Sequence, residues 1–194
     1  LAEVVAVFVA TMLGFTLLRP MHLLWINLIT DTFPALALGM EKAEADIMKR
    51  KPRDANEGVF SGGLGFDVAY QGILISALVI ISYGFGHMFE TGTFGFGGTT
   101  MAFLTLSMAE IFHSFNLRSR EKSLFKIKGM NKMLNIAAIV SLALTTAVCE
   151  IPVLASAFDF TAVGLREYAT AALLGFCVIP VVEVVKLIRR QKNK

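Results

Sequence analysis

Five oxygen-bearing side chains have the type and setting to bind a cation: Glu3, Asn27, Thr30, Asp31 and Glu110. The three carboxylates fall in three separate apolar runs. A carboxylate inside a lipid-spanning segment costs about 3 kcal/mol or more, so it usually marks a site or an ion path. Asn27, Thr30 and Asp31 follow i, i+3, i+4 spacing, which puts them on one helical face. Pro34 lacks an N–H, so the carbonyl of Thr30, four residues back, loses its helical partner and points into the same neighbourhood. Broken backbone at membrane depth is tolerated where it lines a cavity or coordinates an ion. Oxygen donors without thiolate or imidazole suit Ca²⁺ first, and Mn²⁺ or Mg²⁺ next. His22, His87 and His113 are scattered, while Cys149 and Cys177 sit in apolar runs and read as buried small hydrophobes. A transition-metal site is therefore not expected. The plainer alternative is that these polar groups only join helices to one another by hydrogen bonds.

Positioning them requires helices that cross a bilayer. The chain is 55% hydrophobic and 17% charged, with a mean hydropathy of +0.66, which is outside the range of water-soluble domains. Hydropathy predicts six spans: Leu1 to Leu18, Leu23–Met40, Val68–Phe89, Met101–Leu117, Met133–Leu154 and Tyr168–Ile188. The expected fold is an all-α membrane protein, a six-helix transmembrane bundle whose second helix is broken at a proline. The Gly/Thr-rich stretch ETGTFGFGGTT, between the third and fourth spans, reads as an exterior loop. Leu1 opens inside an apolar stretch with no initiating Met, and the chain reads as a piece of something longer.

Of the 18 Lys and Arg residues, all but Arg19 and Arg166 fall on one side of these spans. That asymmetry places the long loops and the C-terminus in the cytoplasm. Residues 41–67 form the longest such loop, basic around Lys49, Arg50, Lys51 and Arg53, and long enough to dock a cytoplasmic partner domain.

INLITDTFPALALG followed by DIMKRKPR resembles the sixth transmembrane helix and next loop of P-type calcium-transporting ATPases. The remainder is similar to the C-terminal half of that membrane domain, its fifth to tenth helices, so the whole of 1–194 reads as one truncated membrane domain. AEVV resembles the fifth-helix motif, which implies that Glu3 is a calcium ligand. The resemblance implies the same role for Asn27, Thr30 and Asp31 on the sixth helix, and for Glu110, in AEIFHSFN, on the eighth. Sodium–potassium pumps share the EADIMKR segment but carry Asp where this chain has Asn27, which favours calcium. His113 departs from the amide expected one turn beyond Glu110. No DKTGT phosphorylation motif, nucleotide-binding segment or fourth-helix PEGLP occurs in the sequence. The resemblance thus implies Ca²⁺ as the transported ion, with ATP and Mg²⁺ handled only by other parts of the parent chain. It implies as partners the lipid bilayer, the parent's N-terminal helices and its cytoplasmic phosphorylation domain, against which the loop would couple. Nothing points to nucleic acid.

The leading expectation is the ion-binding and translocation part of an ATP-driven Ca²⁺ pump in the plasma membrane. It would carry two Ca²⁺ per cycle and return protons, because three converging carboxylates cannot all stay ionised once the cation leaves. Two alternatives remain open. A secondary cation/proton exchanger or channel would also use intramembrane carboxylates, though no repeated half with matching broken helices is visible. A P-type pump for Mn²⁺ or Na⁺/K⁺ would share the same scaffold.

Overall fold

The computed structural model describes residues 1–42, 57–58, 60–89, 97–127 and 129–192, with the isolated positions 48 and 52. The basic positions Lys49, Arg50, Lys51 and Arg53, and residues 90–96 of the expected Gly/Thr loop, lie outside them; Gly97 to Thr100, expected in that loop, are instead helical. Every regular element described is helical: α1 (Ala2–Met12), α2 (Pro20–Trp25), a π-helical segment (Ile26–Asp31), α3 (Thr32–Gly39), α4 (Leu64–Phe89), α5 (Gly97–Asn116), a 3₁₀ turn (Leu124–Lys126), α6 (Lys132–Glu150), α7 (Pro152–Ala157), α8 (Leu165–Phe176) and α9 (Val178–Lys192). Among the described residues, four stretches are long and apolar enough to cross a membrane: Pro20–Gly39, Leu64–His87, Lys132–Glu150 and Leu165–Gln191. This is a multi-pass membrane bundle.

The first expected span is shorter than predicted. Helix α1 stops at Met12 because Gly14 takes φ +83°, a left-handed conformation that ends the helix, and an irregular connection leads to Pro20. Cys149 is buried as expected, but Cys177 is exposed at the kink between α8 and α9. Apolarity cannot tell a core-facing position from a lipid-facing one, since both favour it.

Helix α5 is the central pillar. Every residue from Thr100 to Ala109 is buried, surrounded by α4, α6, α8, α9 and the π-helical segment. Close approach depends on glycines, Gly98 and Gly175 among them. A methyl group on Gly98 would meet the Tyr83 ring of α4 at 2.9 Å, and one on Gly175 would meet Met108 of α5 at 2.9 Å. Small residues let helix backbones approach where lipid provides no hydrophobic drive for association. Hydroxyls supply the joins: Ser82 lies 2.6 Å from Thr105, Ser76 donates to the carbonyl of Ala2 at 2.8 Å, and Thr146 lies 2.7 Å from the Tyr168 hydroxyl.

At the end bearing Arg19, His22 is fully buried and stacks on Phe160 with ring centroids 4.6 Å apart. Its Nδ1 accepts from the Arg19 backbone N–H at 3.1 Å, so Nε2 carries the proton donated to the Phe158 carbonyl at 2.8 Å. Arg19 itself pairs with Asp159, a non-glycine residue at φ +54°. The start of α2 is thereby tied to the loop after α7.

The opposite, basic end has its own clasp. Arg118 holds Glu41 with two hydrogen bonds, of 3.1 and 2.8 Å. The Asn131 amide donates to Glu41 at 2.6 Å and to the carbonyl of Ala37 at 3.0 Å, while its oxygen caps α6 through the N–H of Leu134 at 2.9 Å. The Arg118 guanidinium, helped by Asn131, holds the Glu41 carboxyl below its ordinary value of 4.5. A depressed folded-state value means this stabilisation is complete above the unfolded carboxylate range and is lost as pH falls through the folded value. Glu41→Gln should therefore cost roughly 1–3 kcal/mol at neutral pH. Thermal unfolding in detergent should show that difference from wild type shrinking below pH 4.5; a pH-independent difference would refute the clasp.

Candidate cation site

The break expected at Pro34 takes the form of a π-helical segment. Over Ile26–Asp31 the backbone widens to i→i+5 pairing, and the N–H of Thr32 reaches back to the carbonyl of Asn27. Such wide turns are rare and cluster at functional sites. The Thr32 hydroxyl also donates to the Asn27 carbonyl, at 2.7 Å. Pro34 is buried and offers no N–H to the carbonyls before it. That of Ile29 is instead taken by the Ser141 hydroxyl of α6, at 2.7 Å. Ser141 was not distinguishable in sequence, since a lone serine in an apolar run looks like any packing residue.

The widened turn faces α1 and α5. Carboxylate oxygens of Glu3, Asp31 and Glu110 lie within 4.8 Å of one another, although they come from three separate elements. Two oxygens bound to one Ca²⁺ can be about 5 Å apart at most, so this separation fits inside its coordination shell. The Thr30 hydroxyl, 1% exposed, is 2.9 Å from Glu110 Oε2 and 2.9 Å from the Ile26 carbonyl, and its single proton serves one at a time. The Asn27 amide donates to the Leu23 carbonyl at 2.8 Å and to Glu3 Oε2 at 3.3 Å, which leaves its own oxygen to offer a cation. Glu3 Oε1 is buried with no hydrogen-bonding partner, an arrangement that a bound cation would satisfy.

All five predicted residues are thus brought to one locus. The expected single face is divided, however. Thr30 points into the bundle toward Glu110, while Asn27 and Asp31 are exposed on the surface of this chain. His113, one turn beyond Glu110, is half-buried and its Nδ1 has no hydrogen-bonding partner. An all-oxygen donor set with at least three carboxylates can hold a hard divalent cation and can exchange it for protons.

A membrane helical bundle with carboxylates gathered beside a π-helical turn has the donors to hold a cation at membrane depth. Residues 15–188 match the family described as cation transporting ATPase, C-terminus, and the chain belongs to that family. It is 38% identical to calcium-transporting ATPase 1 of Bacillus cereus over 97% of this chain and 23% of that one. A calcium-transporting ATPase of Listeria monocytogenes is 35% identical over 98% of this chain and 22% of its own. Calcium-transporting ATPase 3, endoplasmic reticulum-type, of Arabidopsis thaliana is 28% identical over 98% of this chain. The chain spans about a fifth of the length of these relatives.

Proposed function

We propose that this chain is the ion-binding and translocation part of an ATP-driven Ca²⁺ pump that exports Ca²⁺ from the cytoplasm and returns protons. The observation that carries this reading is the convergence of Glu3, Asp31 and Glu110 within 4.8 Å beside the π-helical turn. Glu3, Thr30, Asp31 and Glu110 form one site. Asn27 and Asp31, exposed on this chain, begin a second that a helix of the parent chain completes. The named activity of the relatives supports Ca²⁺ as the transported ion. ATP and its Mg²⁺ belong to the parent's cytoplasmic domains, against which the loop of residues 41–67 would couple. The sided basic residues support a cytoplasmic C-terminus, and export from the cell places the pump in the plasma membrane.

Protons return because the carboxylates lose their counter-charge when Ca²⁺ leaves, and like charges this close in a dry site take up protons instead. Sealed inside-out vesicles containing the intact pump should take up Ca²⁺ on addition of ATP, and a trapped pH dye should report alkalinisation of the interior. Uptake without any pH change would reject the proton return. ATP hydrolysis without uptake would reject the transport reading.

A further inference from the structure

We propose that His22 is a positioning residue for the cation site: it fixes the start of α2 and so holds Asn27 where the ion needs it, the identity of that ion resting on the transport reading above. Helix α2 has only six residues before the backbone widens, and an irregular connection precedes it. A helix this short is not held by its own backbone bonds, so its side chains set its direction. His22 is its one buried residue. The nearby Arg19–Asp159 pair is partly exposed, and such pairs contribute little. The His22 ring uses both nitrogens, Nδ1 accepting the Arg19 N–H at 3.1 Å and Nε2 donating to the Phe158 carbonyl at 2.8 Å. Phe160 stacks on it at 4.6 Å between ring centroids, and Phe103 of α5 meets it edge-on at 5.9 Å. An apolar side chain would pack in this aromatic box as well, so packing alone does not account for a histidine. An acceptor and a donor on one flat ring do, because together they tie the first turn of α2 to the loop after α7 at a fixed rotation. Protonation would set a second donor against the Arg19 N–H, so the arrangement requires the neutral ring.

The next residue carries the effect to the site. The Leu23 carbonyl accepts the Asn27 side-chain amide at 2.8 Å, the same amide that reaches Glu3 at 3.3 Å. The carbonyls of His22 and Leu23 also take the N–H of Ile26, where the π-helical segment begins. A rotation of α2 therefore moves the group on which Asn27 rests and redirects the Asn27 oxygen. Beyond Asn27 the turn is anchored elsewhere. Thr30 is set by the Ile26 carbonyl and Glu110, and the Ile29 carbonyl by Ser141 of α6. A disturbance at His22 should thus reach Asn27 and stop short of Thr30. Loss of a partner that orients a metal ligand costs about ten- to a hundredfold in affinity, and His22, acting through Leu23, belongs at the lower end.

The test measures Ca²⁺-dependent phosphorylation from ATP by the intact parent pump, reading the half-maximal Ca²⁺ concentration and the maximal phosphoenzyme level separately. His22→Phe keeps a flat ring in the aromatic box and removes both hydrogen bonds. It should raise the half-maximal concentration about tenfold and leave the maximal level unchanged. His22→Gln again offers an oxygen to the Arg19 N–H and an N–H to the Phe158 carbonyl, and should return the half-maximal concentration to within about twofold of wild type. Protection by Ca²⁺ against thermal unfolding reads the same affinities without ATP. By that measure His22→Phe should add little in an Asn27→Ala background, where the ligand it positions is gone. An unchanged half-maximal concentration in His22→Phe would overturn the proposal, as would equal losses in His22→Phe and His22→Gln, or a full effect in the Asn27→Ala background. A lowered maximal level at an unchanged half-maximal concentration would overturn it too, leaving His22 a folding residue alone. If His22→Phe yields no phosphoenzyme at all, His22→Asn, whose shorter amide reaches one partner at most, decides on the same two readings. A wild type that Ca²⁺ protects but that is phosphorylated without Ca²⁺ would reject the transport reading and leave the result for His22 standing.

Discussion

In the intact parent pump, Asp31→Asn should abolish Ca²⁺-dependent phosphorylation from ATP at micromolar Ca²⁺. Asp31 closes the π-helical segment, beside Thr30, and its carboxylate is one of the three that converge. It is also exposed toward the side where a second ion would be completed, so it is placed to serve both ions. Asparagine keeps the shape and removes the charge, and carboxylate count is what tunes affinity for Ca²⁺. Loss of one shared carboxylate should weaken binding on the order of a hundredfold or more. Thermal stability should remain close to wild type, because an exposed, isosteric change removes no core packing. Near-normal phosphorylation at micromolar Ca²⁺ would show that the carboxylate is not a shared ligand.

Glu110→Ala should halve the number of ions bound. Glu110 lies on the central pillar and reaches Thr30 at 2.9 Å, on the inward side of the turn, away from Asn27. Removing it strips the inner site of a carboxylate and leaves the outer donors in place. The Thr30 hydroxyl still has the Ile26 carbonyl to bond, so the alanine variant strands no donor there. Equilibrium Ca²⁺ binding to the intact pump, normalised to phosphorylation capacity, should fall from two ions to one. One ion in both proteins would mean that Glu110 serves as an interhelical hydrogen-bonding partner and not as a ligand.

Much of the site was legible because it consists of exceptions. Glu3, Asp31 and Glu110 stand out as carboxylates in apolar runs, and each exception carries a cost that demands a reason. The spans were legible by the same contrast, to within a few residues at α4 and α6. What escaped depends on orientation or on distant pairing. Whether Cys177 faces lipid or protein is a matter of helix rotation, which composition does not encode. The Arg118–Glu41 clasp joins residues 77 apart in sequence, and neither has a local pattern that announces the other. At the widened turn, Pro34 indicated a break but not its form. An i→i+5 register depends on which hydroxyls and carbonyls are at hand, here those of Thr32 and Ser141.

The burial of α5 also bears on how the protein is made. Gly97–Asn116 is not among the stretches apolar enough to cross a membrane unaided, and it carries Glu110 in its second half. Such a segment partitions poorly into lipid when it leaves the translocon alone. Its partners α6, α8 and α9 are synthesised after it, while α4 precedes it and packs closely against it. Helix α5 should therefore enter the bilayer in company with α4 and settle only once α8 arrives to receive Met108 against Gly175. Chains shortened before Leu165 should leave this segment accessible to glycosylation or protease at the membrane surface, where full-length chains protect it. The price of a carboxylate on the central helix is then a helix that depends on its neighbours from the moment of synthesis.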